Sequence, residues 1–183
     1  DIASITSGAP AAAEQALTRA QALSPSDPAV LVSLASAKSL VNPEEAGIKA
    51  AQELLSRAQE IRPNFAPAAL ELARLLGRQD KTDEALAQYR RAVALASQDP
   101  TLRWEVGLFL LQKKQNAAAQ SELEQAVLLA PNFSNARWFL AQLYEESGEI
   151  AKALEQIEKI VELNPDHAQA QTRLKELKTK TAK

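Results

Sequence analysis

A 34-residue period is the feature of this sequence that most constrains its fold. Residues of the same type recur at that interval: Trp104 and Trp138, Ala119 and Ala153, Pro131 and Pro165. Each period holds two stretches with apolar residues three and four positions apart, which is the pattern of an amphipathic helix. The stretches are separated by polar residues, glycine or proline, which favour turns. The period therefore predicts a tandem array of helix–turn–helix units.

The same period predicts the organisation of the whole chain. Its units are a half-repeat at 10–27, repeats at 28–65, 66–99, 100–133 and 134–167, and a polar capping helix at 168–180. We expect residues 10–183 to form one domain, and residues 1–9 to be disordered or to belong to a preceding segment. The chain has no methionine, so we expect it to be a fragment or a processed form of a longer protein.

Capping residues predict where several helices begin. Asp27-Pro28 and Asp99-Pro100 pair a side-chain acceptor with proline, which fits the first helical position. Ser134 and Asp166 are expected to cap the helices that follow them. The four extra residues of repeat 28–65 include Asn42-Pro43. We expect Asn42 to cap the second helix of this repeat, and the helix to be lengthened to about Pro43–Ile61.

Composition favours an all-α chain and argues against several functions. Alanine and leucine dominate, with glutamate, lysine, glutamine and arginine, all good helix formers. A net charge of −2 argues against a nucleic-acid partner bound by phosphate neutralisation. The absence of cysteine excludes disulfide and thiolate chemistry. No apolar run could span a bilayer, so no membrane contact is expected of this chain itself. A cytoplasmic and an extracytoplasmic location both remain open.

Catalytic, metal-binding and cofactor-binding signatures are missing from the sequence. His167 is the only histidine, and we interpret it as a solvent-exposed turn residue without a converging ligand set. Adjacent acids such as Glu145-Glu146 point in different directions on a helix, so they do not form an acid–base pair. The five glycines are scattered and form no phosphate-binding loop. We therefore expect a protein without enzymatic activity, cofactor or metal.

The repeats resemble the tetratricopeptide repeat family in several positions in register. The matching residues are Leu72-Ala73, Ala85 and Ala92; Val106-Gly107, Ala119, Leu123 and Pro131; and Leu140-Ala141, Tyr144, Ala153, Ile157 and Pro165. One departure is the leading aromatic position, where Arg103 and Arg137 stand and tryptophan comes one place later. The resemblance implies an all-α, right-handed α-α superhelix of antiparallel helix hairpins.

The resemblance also implies where a partner would bind. In the family, the second, fifth, ninth and twelfth places of each first helix face a concave groove. The implied contact residues are Leu70, Trp104, Leu108 and Trp138 for apolar contact, and Arg74 and Gln142 for polar contact, with Thr172 at the equivalent place of the capping helix. Tryptophan is usually mostly buried, so packing against a neighbouring hairpin is an equally good interpretation of Trp104 and Trp138.

The function implied by the resemblance is a protein-interaction scaffold that binds a peptide or a partner helix in this groove. One alternative is a structural spacer or self-association domain that forms homo-oligomers through its repeat ends. Another is a soluble accessory domain of a larger, membrane-associated bacterial envelope protein, based on short similarities around Arg137–Leu140 and Ile160–Pro165.

One subgroup of the family is not expected to share its partner with this chain. That subgroup grips the terminal carboxylate of heat-shock chaperones with lysines and asparagines. The corresponding residues here are Val32, Ser36, Glu71, Thr101 and Glu105.

Overall fold

The fold of the described residues consists entirely of helices, so the all-α prediction is confirmed. A computed structural model describes residues 2–181, and the side chains of residues 10–180. In this part of the chain there are ten helices: α1 (Ile2–Leu23), α2 (Pro28–Val41), α3 (Glu45–Ile61), α4 (Ala66–Arg78), α5 (Thr82–Leu95), α6 (Pro100–Gln112), α7 (Asn116–Leu129), α8 (Ser134–Glu146), α9 (Ile150–Leu163) and α10 (Ala168–Thr181).

The helices pair as antiparallel hairpins within two compact units. The first unit, Asp1–Ser97, holds the hairpins α2–α3 and α4–α5; α3 packs on α4, and α1 packs on α2. The second unit, Gln98–Lys183, holds the hairpins α6–α7 and α8–α9; α7 packs on α8, and α10 packs on α9. Within the described residues, no helix combines the length and the apolar character needed to cross a membrane.

A repeated set of small and larger apolar residues forms the core of each hairpin. The second helices bury the same three places of the repeat, each at most 4% exposed: Ala51, Leu55 and Ala58; Ala85, Tyr89 and Ala92; Ala119, Leu123 and Ala126; Ala153, Ile157 and Ile160. Close helix approach requires the small members of this set. At Gly107, for example, an added Cβ would lie 2.8 Å from Leu123 Cγ.

Two of the five predicted caps are confirmed. Asp27 accepts a hydrogen bond from the backbone N–H of Ala29 at 2.8 Å, and Asp99 accepts one from Thr101 at 2.8 Å. The prediction for Ser134 is wrong, because Phe133 occupies the capping position and Ser134 is already helical. The prediction for Asp166 is also wrong, because His167 and not Asp166 caps the N-terminal turn of α10.

The corner between α2 and α3 differs in detail from the prediction. Helix α3 has 17 residues against 14 in α5, so the predicted lengthening is confirmed, although α3 begins at Glu45 and not at Pro43. Asn42 ends α2, since a residue before proline is disfavoured in helical conformation. It does not cap α3, because Glu44 occupies the capping position of that helix. An added Cβ at Gly47 would lie 1.9 Å from the Asn42 carbonyl oxygen, so glycine is required at this corner.

Helix α1 begins upstream of the predicted half-repeat. It runs continuously through Pro10, which lies inside the helix. Residues 2–9, which we expected to be disordered or part of a preceding segment, form its N-terminal part.

Three of the hairpin turns share a backbone conformation. The links at 79–81, 113–115 and 147–149 each contain a residue with positive φ: Asp80 at 57°, Lys114 at 58° and Gly148 at 80°. In each turn, the following N–H donates to a carbonyl of the preceding helix, as from Gln115 to Leu110 at 2.9 Å. This left-handed conformation satisfies carbonyl groups that the helix end would otherwise leave unpaired.

Candidate functional site

The six predicted contact residues are divided between the two units. The first unit holds Leu70 and Arg74, both on α4, and the second holds Trp104 and Leu108 on α6 and Trp138 and Gln142 on α8.

Of the two predicted contact residues on α4, Arg74 forms an ion pair with a neighbouring residue of the same helix. Leu70 is half-buried. Arg74 is exposed, and its Nη1 lies 3.1 Å from Oε2 of Glu71, which is only 6% exposed. A buried carboxylate requires a compensating charge. Arg74 therefore has a structural role, that of neutralising Glu71.

Trp104 packs largely within the second unit. Its ring centroid lies 5.5 Å from that of Phe133, with the planes tilted by 52°. Its Nε1 atom is buried and has no hydrogen-bond acceptor among the residues that the structure describes. Leu108, one turn along the same helix, is half-buried. These contacts favour the interpretation of Trp104 as a packing residue over that of a groove contact.

Trp138 borders an open cleft between α8 and α10. The cleft has a volume of about 680 Å³, and its lining consists of Trp138, Gln142, Ala168, Gln169, Thr172, Arg173 and Glu176. The structure thus brings together two predicted contact residues, Trp138 and Gln142, with the predicted Thr172 opposite them. A smaller cavity of about 180 Å³ lies on the other side of Trp138, beside Asn135 and His167.

His167 lines the smaller cavity and packs against Trp138, so the expectation of a solvent-exposed turn residue is wrong. The histidine is half-buried, and its ring stacks on that of Trp138 with centroids 6.0 Å apart and planes 20° from parallel. Its Nδ1 accepts a hydrogen bond from the backbone N–H of Ala170 at 3.2 Å. The first N–H groups of a helix need acceptors from outside the helix, and His167 supplies one. The same side chain therefore supports Trp138 and the start of α10.

Four charged side chains beside the cleft form one neutral network. Arg173 pairs with Glu145 at 2.5 Å and with Glu176 at 2.9 Å, and Lys180 also pairs with Glu145. The side chain of Glu145 is only 13% exposed. Two acids and two bases thus balance each other at this edge of the cleft.

Three amide side chains around Trp138 belong to no such network. Asn135, Gln142 and Gln169 are exposed, and their side chains form no hydrogen bond with any residue in the described part of the chain. Gln171, by contrast, donates to the Pro165 carbonyl oxygen. Each free amide offers both a donor and an acceptor, so the cleft can form hydrogen bonds without using charge.

Polar contacts fix α8, the helix that carries Trp138. Arg137 is buried and donates to the Pro131 carbonyl oxygen at 2.7 Å and to Gln156 Oε1 on α9. Burial lowers the pKa of this guanidinium. On the neighbouring hairpin, Arg103 donates to Glu122 at 3.0 Å. Arginine at the leading position therefore binds the partner helix of its own hairpin.

A second polar contact joins α8 to α7. The Tyr144 hydroxyl donates to Glu124 Oε1 at 2.8 Å. Burial, followed by this hydrogen bond, raises the pKa of Tyr144 well above its ordinary value. The tyrosine is thus held in its neutral form, as a hydrogen-bond donor.

Sequence reasoning missed four residues of this site: His167, Gln169, Arg173 and Glu176. The repeat register could have found two of them, because Gln169 and Glu176 stand 34 residues after Asn135 and Gln142.

No metal-binding group of three or more histidine, cysteine or acidic residues occurs among the described residues.

Comparison with known proteins identifies the repeats. One tetratricopeptide repeat family model matches residues 70–136, and a second matches residues 110–177. No curated protein matches the sequence.

Solved structures with the same fold cover most of the chain. YrrB, described as a TPR protein with an unusual peptide-binding site, is 22% identical, with a TM-score of 0.70 over 93% of this chain and 86% of YrrB. TTC0263, a TPR protein of Thermus thermophilus, is 22% identical, with a TM-score of 0.65 over 96% of this chain and 94% of that protein.

A shorter match is the first TPR of Spaghetti (RPAP3) bound to the HSP90 peptide SRMEEVD. It is 22% identical, with a TM-score of 0.56 over 64% of this chain and 94% of that one. The 34-residue repeat register, the helix hairpins and these matches agree with one another, and the chain belongs to the tetratricopeptide repeat family.

Proposed function

We propose that this chain is a non-enzymatic protein-interaction module that receives a segment of another polypeptide in the cleft beside Trp138. One observation carries the proposal: an aromatic ring and two amides without hydrogen bonds, Gln142 and Gln169, border the same open space of about 680 Å³. Clefts that combine an apolar anchor site with a few polar groups are typical of binding sites. YrrB and the RPAP3 repeat domain, which share this fold, have peptide sites of their own.

The binding mechanism is recognition by a preformed surface, without chemistry. Trp138 offers a ring face to an apolar side chain, while His167 stacks on it and caps α10. Arg137 and Tyr144 tie α8 to the helices on either side. Because these contacts order both walls before binding, little conformational entropy is lost when the partner enters.

The HSP90 peptide is not the partner that we propose. It carries acidic residues, and a lysine-rich surface would suit them. At two of the places where the chaperone-binding subgroup of the family carries lysines or asparagines, this chain has acids, Glu71 and Glu105. Glu71 is moreover buried against Arg74.

Trp138→Ala tests the proposal. We expect at least a thirtyfold loss of affinity for capped decapeptides selected from an arrayed library by the wild-type chain, because a buried aromatic contact is commonly worth about 2 kcal/mol or more. Binding is measured by fluorescence anisotropy, and folding by far-ultraviolet circular dichroism. Leu128→Ala is the matched control, since Leu128 is 70% exposed on α7 and lies outside the cleft lining. Unchanged affinity in a folded Trp138→Ala protein contradicts the proposal.

Self-association is a second candidate function, favoured by one face of α1. Ala13, Leu17 and Ala20 of α1 stand at the repeat places that are buried in every other second helix. Here Ala13 is exposed, and Leu17 and Ala20 are only half-buried. The same stripe on a second copy could cover this face in a symmetric pair.

A further inference from the structure

We infer that the polypeptide segment received beside Trp138 is uncharged, and that the ionic network of Glu145, Arg173, Glu176 and Lys180 selects it. The inference rests on the proposed function of the cleft. These four residues then have a role in selecting the ligand, in addition to the structural role that their ion pairs indicate.

The network has no spare charge for a ligand. Arg173 contacts two carboxylates, and Glu145 contacts two cations, so each central member is already paired on both sides. The outer members, Glu176 and Lys180, are each about half exposed and balance each other. A charged ligand therefore meets a surface with no net attraction for it.

Binding a charged group would require one of the existing pairs to separate. A ligand carboxylate would compete with Glu176 for Arg173, and a ligand ammonium group would compete with Arg173 or Lys180 for Glu145. The exchange replaces one ion pair with another, while the ligand loses its hydration. Because Glu145 is mostly buried, separating it from its cations would leave a poorly solvated carboxylate. A charged ligand therefore gains nothing and loses solvation.

The remaining groups fit an uncharged, extended backbone. Gln142 projects from α8 and Gln169 from α10, on opposite sides of the cleft, and Asn135 lies on the far side of Trp138. A primary amide donates and accepts at once, which matches the alternating N–H and C=O groups of an extended chain. Trp138 then receives an aliphatic side chain or a proline from the segment. The expected ligand is a polar, uncharged segment with at least one apolar anchor residue.

The test uses an array of N-acetylated, C-amidated decapeptides with net charges from −3 to +3, matched in apolar content. On the wild-type chain, the bound peptides should cluster at zero net charge, and their affinities should change less than twofold between 50 and 300 mM salt. Glu176→Gln gives Arg173 spare charge and should improve the binding of acidic peptides about threefold; Arg173→Gln should improve basic ones similarly. Glu162→Gln, which removes the same charge from an exposed pair on α9, should change neither.

The outcomes separate this inference from the proposed function. If peptides bind through Trp138 but the wild-type chain prefers charged ones, the charge inference is overturned and the function stands. If no peptide binds, or if Trp138→Ala leaves binding unchanged, both fail. Should Arg173→Gln lower helicity, Glu176→Gln decides alone, since its side chain is 51% exposed and its removal leaves the Glu145 pairs in place.

Discussion

Backbone strain at single turn residues limits the stability of the hairpins. Asp80, Lys114 and Gly148 occupy equivalent places and share a left-handed conformation. Glycine adopts it without strain, whereas a residue with a Cβ is destabilised in it by about 1 kcal/mol. Two of the three hairpins therefore carry strain at a position where the third does not.

Lys114→Gly should raise the free energy of unfolding by about 1 kcal/mol, because it removes this strain. Gly148→Ala should lower it by a similar amount: no atom lies within 4 Å of the new Cβ, so only the backbone term changes. Both values are measured by urea denaturation. The control is Lys81→Gly, a neighbouring turn position with φ of −78°, where glycine should destabilise by increasing the entropy of the unfolded chain. A destabilised Lys114→Gly variant would rule out strain at this turn.

At the scale of the helix, α10 depends on a residue outside it. His167 supplies an acceptor for the first turn of α10 and a stacking partner for Trp138. One substitution can remove both contacts, and another can remove the stacking alone. The histidine thus offers a way to separate capping from stacking.

His167→Ala should lower the free energy of unfolding by about 1 kcal/mol through loss of the cap. His167→Asn keeps a capping acceptor and should remain within a few tenths of wild type. Both variants should shift tryptophan emission to longer wavelength, since each exposes one face of Trp138. Thermal unfolding and fluorescence spectra on the same samples provide the measurement. Equal stability of the alanine and asparagine variants would mean that capping contributes nothing.

The sequence predicted the helices more accurately than it predicted the residues at which they begin and end. The four extra residues of repeat 28–65 located the start of α3 to within two residues, because the 34-residue register sets how much chain separates successive helices. The caps expected at Asn42, Ser134 and Asp166 failed, because a cap requires a particular backbone conformation at one residue. Neighbouring turns decide that conformation, and residue type alone does not reveal it.

The candidate site was predictable only in part, for a related reason. The family resemblance placed Trp138 and Gln142 on a shared surface, and residues four places apart do lie on one face of a helix. The stacking of His167 on Trp138 and the pairing of Arg173 with Glu145 join side chains on different elements. Such contacts depend on rotamers and on helix packing, which a repeat pattern does not specify.

At the scale of the whole molecule, the uncovered stripe on α1 makes association testable. If two copies pair through Ala13, Leu17 and Ala20, light scattering across a concentration series should show a monomer–dimer equilibrium. Ala13→Glu should then give a monomer at every concentration, because pairing would bury unpaired like charges. Gln15→Glu adds the same charge on the opposite side of the helix and should leave the dimer intact. A wild-type mass that stays monomeric throughout would exclude association through this face.

The arginine at the leading position also constrains how these repeats can evolve. Arg137 and its partner Gln156 lie 19 residues apart, and so do Arg103 and Glu122. Arg137 and Gln156 are both buried, so exchanging either one alone leaves a buried polar group unsatisfied. Whatever replaces Gln156 must therefore supply an acceptor, as Glu122 does at the equivalent place. Duplication of an entire 34-residue unit transmits both members of the pair. A recombination break between them preserves the contact when both repeats carry arginine and an acceptor, but repeat 66–99 has Ala69 at the leading place. Viable exchanges with that repeat should therefore have their breakpoints outside this interval.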